Sequence, residues 1–372
     1  MKIKEITLYH VGMRLKTPVV TNFGSIIDKD SVLVKVRDTD GVIGWGEAPA
    51  FSIPWYSEET IGTVLHIMED FLIPLLLRQE IKKPDEVFNL FVPIQRNNIA
   101  KAGLESAIWD LYAKRHHLPL AKALGGNKKI IEVGVVVGIQ TTIQDTLQLI
   151  ESYMAEGYRR VKLKIKPGHD IRFVKAVKEA FPHLPISVDA NGSYRFSDLA
   201  TLQELDRYGL SMIEQPLAAG DLIDHAKLQA VLKTPVCLDE SVATFEDIRN
   251  AAEFSSCRII SLKMSRLGGL TATKRVHDFC RERNIPVWCG GMFETGIGRA
   301  HNIALSTLDN FTLPGDLSGS SRYWERDLIE PEVFVKQGEI EVPVQPGIGY
   351  EVDLMQLEKV MRGKKTFNAM FR

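Results

Sequence analysis

The 372-residue chain is too long for one ordinary core and long enough for two domains, or for a barrel with additions. Its 45% apolar and 25% charged residues are those of a globular protein, and a formal net charge of −1 argues against nucleic acid or an anionic membrane as the main partner. The apolar runs, FLIPLLL (71–77) among them, are too short to span a bilayer, and MKIKEITLYHVGM has no secretory apolar core, so a cytoplasmic protein is expected.

In chain order, the N-terminal stretch reads as a strand, and SVLVKVRDTDGVIGWGEA (31–48) as two strands joined at Thr39-Asp40-Gly41. Helical periodicity follows in 57–77 and 99–117. Strands followed by helices predict an α+β domain over 1–125, closed by the punctuation Leu124-Gly125-Gly126-Asn127. Strand-like runs then recur at 132–139, 160–165, 186–190, 212–216, 235–240, 259–264, 286–291 and 312–316, with amphipathic helical stretches between them. Eight such units predict an α/β barrel over 126–325. A doubly wound sheet is the alternative, but GIQTTIQ (138–144), after the first strand, is not a phosphate-binding glycine turn. From 326 to 372, the short strands EVFVKQ and IEVPV around Gly338, then a helix, predict a segment packing back on the first domain. Cys237, Cys257, Cys280 and Cys289 form no CxxC and are expected as buried free thiols.

Within RVKLKIKPG (160–168), Lys162, Lys164 and Lys166 share one strand face, which points either to water or to a site. The strand ends decide. Lys164, Asp189, Glu214 and Asp239 fall 25 residues apart, and Lys263 follows 24 residues later. Taken singly, a strand-end Asp is often a helix N-cap, and a lone strand-end Glu or Lys is usually solvated. Jointly, the C-terminal strand ends of a barrel converge on one mouth, and three carboxylates there would repel unless a cation lay among them. Oxygen-only ligands suit Mg²⁺, with Mn²⁺ or another divalent ion as substitutes. Lys164 and Lys263 come from strands two and six of eight and so face each other across the mouth. Lys162 and Arg266 give each a cationic neighbour, an arrangement that favours a lysine base. A carboxylate substrate held there would lose its α-proton to a lysine and pass through an enediolate.

The chain resembles the enolase superfamily, in its muconate-lactonizing-enzyme-like subgroup. The resemblance rests on AGLESAIWDLYAK (102–114), the Lys162-x-Lys164 strand, VDANGSY (188–194), IEQPL (213–217), LDES (238–241) and Lys263. Residues 286–316 are similar to o-succinylbenzoate synthases of the type that also racemise N-acylamino acids. The resemblance implies an α+β capping domain over a modified TIM barrel, (β/α)7β. It also implies a divalent metal on Asp189, Glu214 and Asp239, the acid/base pair Lys164 and Lys263, support from Asn191 and Glu240, and homo-oligomers. It implies dehydration of a cyclohexadiene carboxylate in menaquinone biosynthesis, or racemisation of N-acyl or N-succinyl amino acids. Specificity is expected from the capping domain, with Phe23, Trp55 and Tyr56 as apolar walls, and from Gly291, Met292 and Phe293 beside the acyl chain. The seventh strand carries no histidine, unlike mandelate-racemase-like members, and the eighth ends Gly315-Asp316-Leu317-Ser318, without the Asp-x-Asp of dipeptide epimerases. Lys263-Met264-Ser265-Arg266 replaces the Lys-Pro-Gly-Arg of many members but keeps its charged ends. A Schiff-base enzyme would leave the three carboxylates unexplained, and a non-catalytic scaffold would be expected to have lost a ligand or a lysine.

Overall fold

The computed structural model describes residues 1–20 and 24–369; Phe23 lies outside them. The N-terminal region is built on an antiparallel sheet in the order Met361–Asn368, Ile3–Val20, Ser25–Asp38, Ile43–Ala48. Its edge strand comes from the far end of the chain, following a short helix, Leu354–Val360. That strand, MRGKKTFN, has no apolar alternation and is mostly exposed, so only its pairing with Glu5–Val11 marks it as a strand.

The helix Asn98–Arg115 lies directly on this sheet. Gly44 and Gly46 permit the approach, since a Cβ on either would stand 2.2 Å from the Ala107 carbonyl or 2.3 Å from the Gly103 carbonyl. The helix predicted over 57–77 starts after Thr60, widens to a π-turn at Met68–Leu72 and resumes as Ile73–Leu77. Pro74 accounts for the widening, because its ring has no N–H and crowds the carbonyl four residues back.

Seven parallel strands form the second sheet, in sequence order: Val135–Val137, Val161–Lys164, Ile186–Asp189, Ile213–Glu214, Val236–Leu238, Ile259–Leu262 and Val287–Cys289. The eighth predicted run, 312–316, is not a regular strand, as Pro314 supplies no amide. It still closes the ring: Phe311 bridges Val287 and Gly315 bridges Val133, so the segment sits between the seventh and first staves. The first predicted run splits. Ile130–Glu132 pairs antiparallel with Glu339–Glu341, and only Val135–Val137 enters the barrel. In the tail, EVFVKQ forms no strand beyond a bridge from Lys336 to Glu339.

The stave Val161–Lys164 is buried on both faces. Val161 and Leu163 join the apolar core, and Lys162 is buried against the carboxylates of neighbouring staves. The lysine face therefore turns inward, and Lys166, past the strand end, is exposed. All four cysteines are free and buried. No helix among the described residues is long and apolar enough to cross a membrane.

Candidate active site

Strand register assembles the site. Lys164 stands opposite Asp189, Asp189 opposite Glu214, and Glu214 opposite Cys237, two residues before Asp239. Lys263 follows the last residue of the sixth stave. Lys164 Nζ lies 2.6 Å from Asp189 Oδ2 and donates to Asn191 Oδ1 at 2.7 Å. Asn191 Nδ2 in turn donates to Glu240 Oε1 at 2.8 Å. Across the mouth, Lys263 Nζ lies 2.9 Å from Asp239 Oδ2, and Arg266 Nη1 lies 2.7 Å from Asp239 Oδ1.

Lys162 is tied down by three carboxylates: Asp316 at 2.5 Å, Glu214 at 2.8 Å and Asp189 at 3.2 Å. Burial works against its charge, but these three partners outweigh it and hold the ammonium well above the ordinary lysine pKa. It therefore acts as a fixed positive charge. Burial raises the Glu214 carboxyl, and Asp189 and Asp239 push it further up. Burial acts the same way on Asp239, yet Arg266 and Lys263 override it and hold that carboxyl well below its usual range. Burial, then Asp239 and Asp189, push Glu240 up to about 7.

Tyr56 departs from the expectation of a simple apolar wall. Its hydroxyl accepts from Lys263 Nζ at 2.5 Å and from Arg266 Nη1 at 3.1 Å, and donates to Asp239 Oδ2 at 3.0 Å. The capping domain thus puts a polar group on the second lysine. Trp55, Gly291, Met292 and Phe293 line the same cavity as Lys162, Lys164, Asp189, Asn191 and Lys263. Glu240 and Arg266 line a neighbouring cleft instead. Sequence reasoning missed Asp316, Arg299, Arg322 and Tyr323, which also line the main cavity. Asp316 could have been found, since it ends the eighth strand-like run as Asp189 ends the third. The others follow no strand-end rule.

Among the described residues, no three His, Cys, Asp or Glu side chains form a ready-made metal cage, and lysines and Arg266 pair with the carboxylates. The donor set nevertheless fits a hard divalent cation. It is all oxygen, its members repel one another, and Glu214 Oε1 is buried with no hydrogen-bond partner.

Residues 145–357 match the family described as enolase C-terminal domain-like, and residues 3–125 match the mandelate racemase / muconate lactonizing enzyme N-terminal domain. This chain belongs to the enolase superfamily. An enolase superfamily member from Listeria innocua has the same architecture, with a TM-score of 0.97 at 42% identity and 100% of each chain covered. The chain is 56% identical over 368 residues to an o-succinylbenzoate synthase of Geobacillus kaustophilus, covering 99% of this chain and 98% of that protein. It is 42% identical over 369 residues to an N-succinylamino acid racemase of Thermus thermophilus, covering 99% of this chain and 100% of that one. As an enolase superfamily member, the chain is an enzyme, and divalent-metal dependence is typical of its relatives.

Proposed function

We propose that the protein is an o-succinylbenzoate synthase that dehydrates 2-succinyl-6-hydroxy-2,4-cyclohexadiene-1-carboxylate, a step of menaquinone biosynthesis, in the cytoplasm. The observation that carries the reading is the pairing of Lys164 and Lys263 on opposite staves of one cavity, with three carboxylates on the staves between them. Lys164 takes the α-proton, and Asn191 orients its Nζ. The proton then leaves with the β-hydroxyl as water while the ring aromatises. Lys263, steadied by Tyr56 and Asp239, holds positive charge against the enediolate. Lys162 adds a charge that burial among carboxylates keeps in place. Asp189, Glu214 and Asp239 would hold Mg²⁺, or Mn²⁺ in its place, which when bound supplies Lewis-acid stabilisation to the substrate carboxylate. A homo-oligomer is part of the proposal.

A second reading is N-acylamino acid racemisation, favoured by the presence of a carboxylate-paired lysine on each side of the cavity. Both reactions share the first half-step. The test is a paired assay with Mg²⁺: dehydration of the cyclohexadiene substrate, and α-proton exchange into D₂O with N-succinyl and N-acetyl amino acids of both hands. Dehydration faster than exchange supports the synthase. Exchange without dehydration makes the racemase the function.

A further inference from the structure

We propose that Arg322 reads a second carboxylate, carried on the substrate's acyl chain away from the reacting carbon. The inference rests on the proposed reaction and deepens it by assigning the residue that binds the succinyl carboxylate of the proposed substrate.

Arg322 ends the short turn Ser320–Arg322, just past the segment that closes the barrel, and lines the main cavity. Its guanidinium lies 4.9 Å from the ring centre of Tyr153 and 5.4 Å from that of Tyr323. Nε is buried with no hydrogen-bond partner, and no ion pair of this guanidinium is formed among the described residues. Neighbouring arginines differ. Arg160 has Asp316 at 3.0 Å, and Arg266 has Asp239 at 2.7 Å. Arg299 has Asp327 at 3.9 Å and donates to the Glu294 carbonyl at 2.9 Å.

An arginine keeps its charge at every working pH and presents five donors suited to a carboxylate. Two aromatic faces offer it cation–π attraction but accept no in-plane hydrogen bond. A half-buried guanidinium so placed is short of an anion. Arg299 stands 5.3 Å from the same Tyr323 ring, so a second cation favours negative charge there. Asp189, Asp239 and Asp316 are paired with lysines and arginines, and Glu294 with Met292 N and Asn302 Nδ2; none of them pairs with Arg322, so the anion expected there is the ligand's. The apolar lining residues Val19, Phe51, Trp55, Met292 and Phe293 suit the methylene chain joining the two carboxylates.

The test compares Arg322→Met, Arg322→Lys and the unaltered enzyme on one amino acid carrying an N-succinyl or an N-acetyl group. The readouts are α-proton exchange into D₂O with Mg²⁺, and calorimetric binding of both ligands. Loss of a charge-assisted pair predicts that Arg322→Met lowers the succinyl-over-acetyl ratio of kcat/KM by about 10–100-fold, mainly through KM. Arg322→Lys should recover part of the ratio, and it carries the test alone if Arg322→Met does not fold, by lowering the ratio at least about three-fold. An unchanged ratio in the folded variants overturns the proposal. If the unaltered enzyme exchanges neither substrate but binds the succinyl ligand more tightly, and Arg322→Met abolishes that preference, the proposed reaction fails and the Arg322 assignment stands. Turnover with an unmoved preference sinks the assignment alone.

Discussion

Glu47, on the capping sheet, accepts a hydrogen bond from Thr295 Oγ1 at 2.7 Å, across the boundary between the two sheets. The same carboxylate accepts from the amides of Thr295 at 3.1 Å and Gly298 at 2.9 Å, at the start of the barrel helix Gly296–Leu305. Glu105 does likewise for Leu270–Glu282, accepting from the amides of Leu270 and Thr271 at 2.8 and 2.9 Å. Two barrel helices are therefore capped by carboxylates of the N-terminal region. Glu47 is fully buried, so Glu47→Ala strands several donors and is expected to cost about 3 kcal/mol. Urea unfolding monitored by circular dichroism would register it, and a change below about 0.5 kcal/mol would refute the capping role.

Tyr56→Phe removes the hydroxyl shared by Lys263, Arg266 and Asp239. The expected result is a fall in kcat of about 10-fold or more, from misplacement of Lys263, with stability changed by less than about 1 kcal/mol. Steady-state kinetics and a melting curve separate the two effects. An unchanged kcat would return Tyr56 to a wall residue.

Metal removal is the next check. EDTA should abolish activity, and returning Mg²⁺ should raise the melting temperature of the native protein, with about 2.7 kcal/mol gained at 100 times Kd. Glu214→Gln should blunt that rise. A melting temperature indifferent to both EDTA and Mg²⁺ would remove the metal from the account.

Lys29 gives a pH signature separate from the active site. Its ammonium is buried and donates to the carbonyls of Asp30 at 2.5 Å and Ala50 at 2.7 Å. Burial pushes its pKa from 10.5 down to about 8, partly offset by Glu47, Glu294 and Asp30. Between those values the unfolded chain binds more protons than the folded one, so this group's contribution to stability rises with pH across that window, by about 3 kcal/mol in all. Denaturation at pH 7.5, 9 and 10 should show Lys29→Met losing that upward slope relative to the native protein. Parallel curves would contradict the shift.

The strand-end spacing was legible because each stave of a parallel barrel repeats one step and presents one residue at the mouth. Lys164, Asp189, Glu214, Asp239 and Lys263 could be lined up by counting. The inward turn of Lys162 followed from the strand-end residues, since alternation alone left its face open between water and a site. Tyr56 was harder: its hydroxyl meets Lys263 only once the capping region is placed on the barrel, a contact spanning 207 residues. The edge strand Met361–Asn368 hid because an exposed strand carries no apolar alternation. Arg322 and Arg299 lie on a turn and a helix beyond the barrel staves, where no periodicity marks a side chain as cavity-lining.

The central claim is that Lys164 and Lys263 both act at the α-carbon, Lys164 as base and Lys263 from the opposite face, so that in α-proton exchange each serves one enantiomer. Its most direct test is α-proton exchange in D₂O with Mg²⁺, comparing the native protein with Lys164→Ala and Lys263→Ala on both hands of an N-succinyl amino acid. The account predicts that the two variants each lose exchange by about 10²–10⁴-fold, each chiefly for a different enantiomer, with circular dichroism unchanged. Exchange of both enantiomers at the native rate in either folded variant would contradict it.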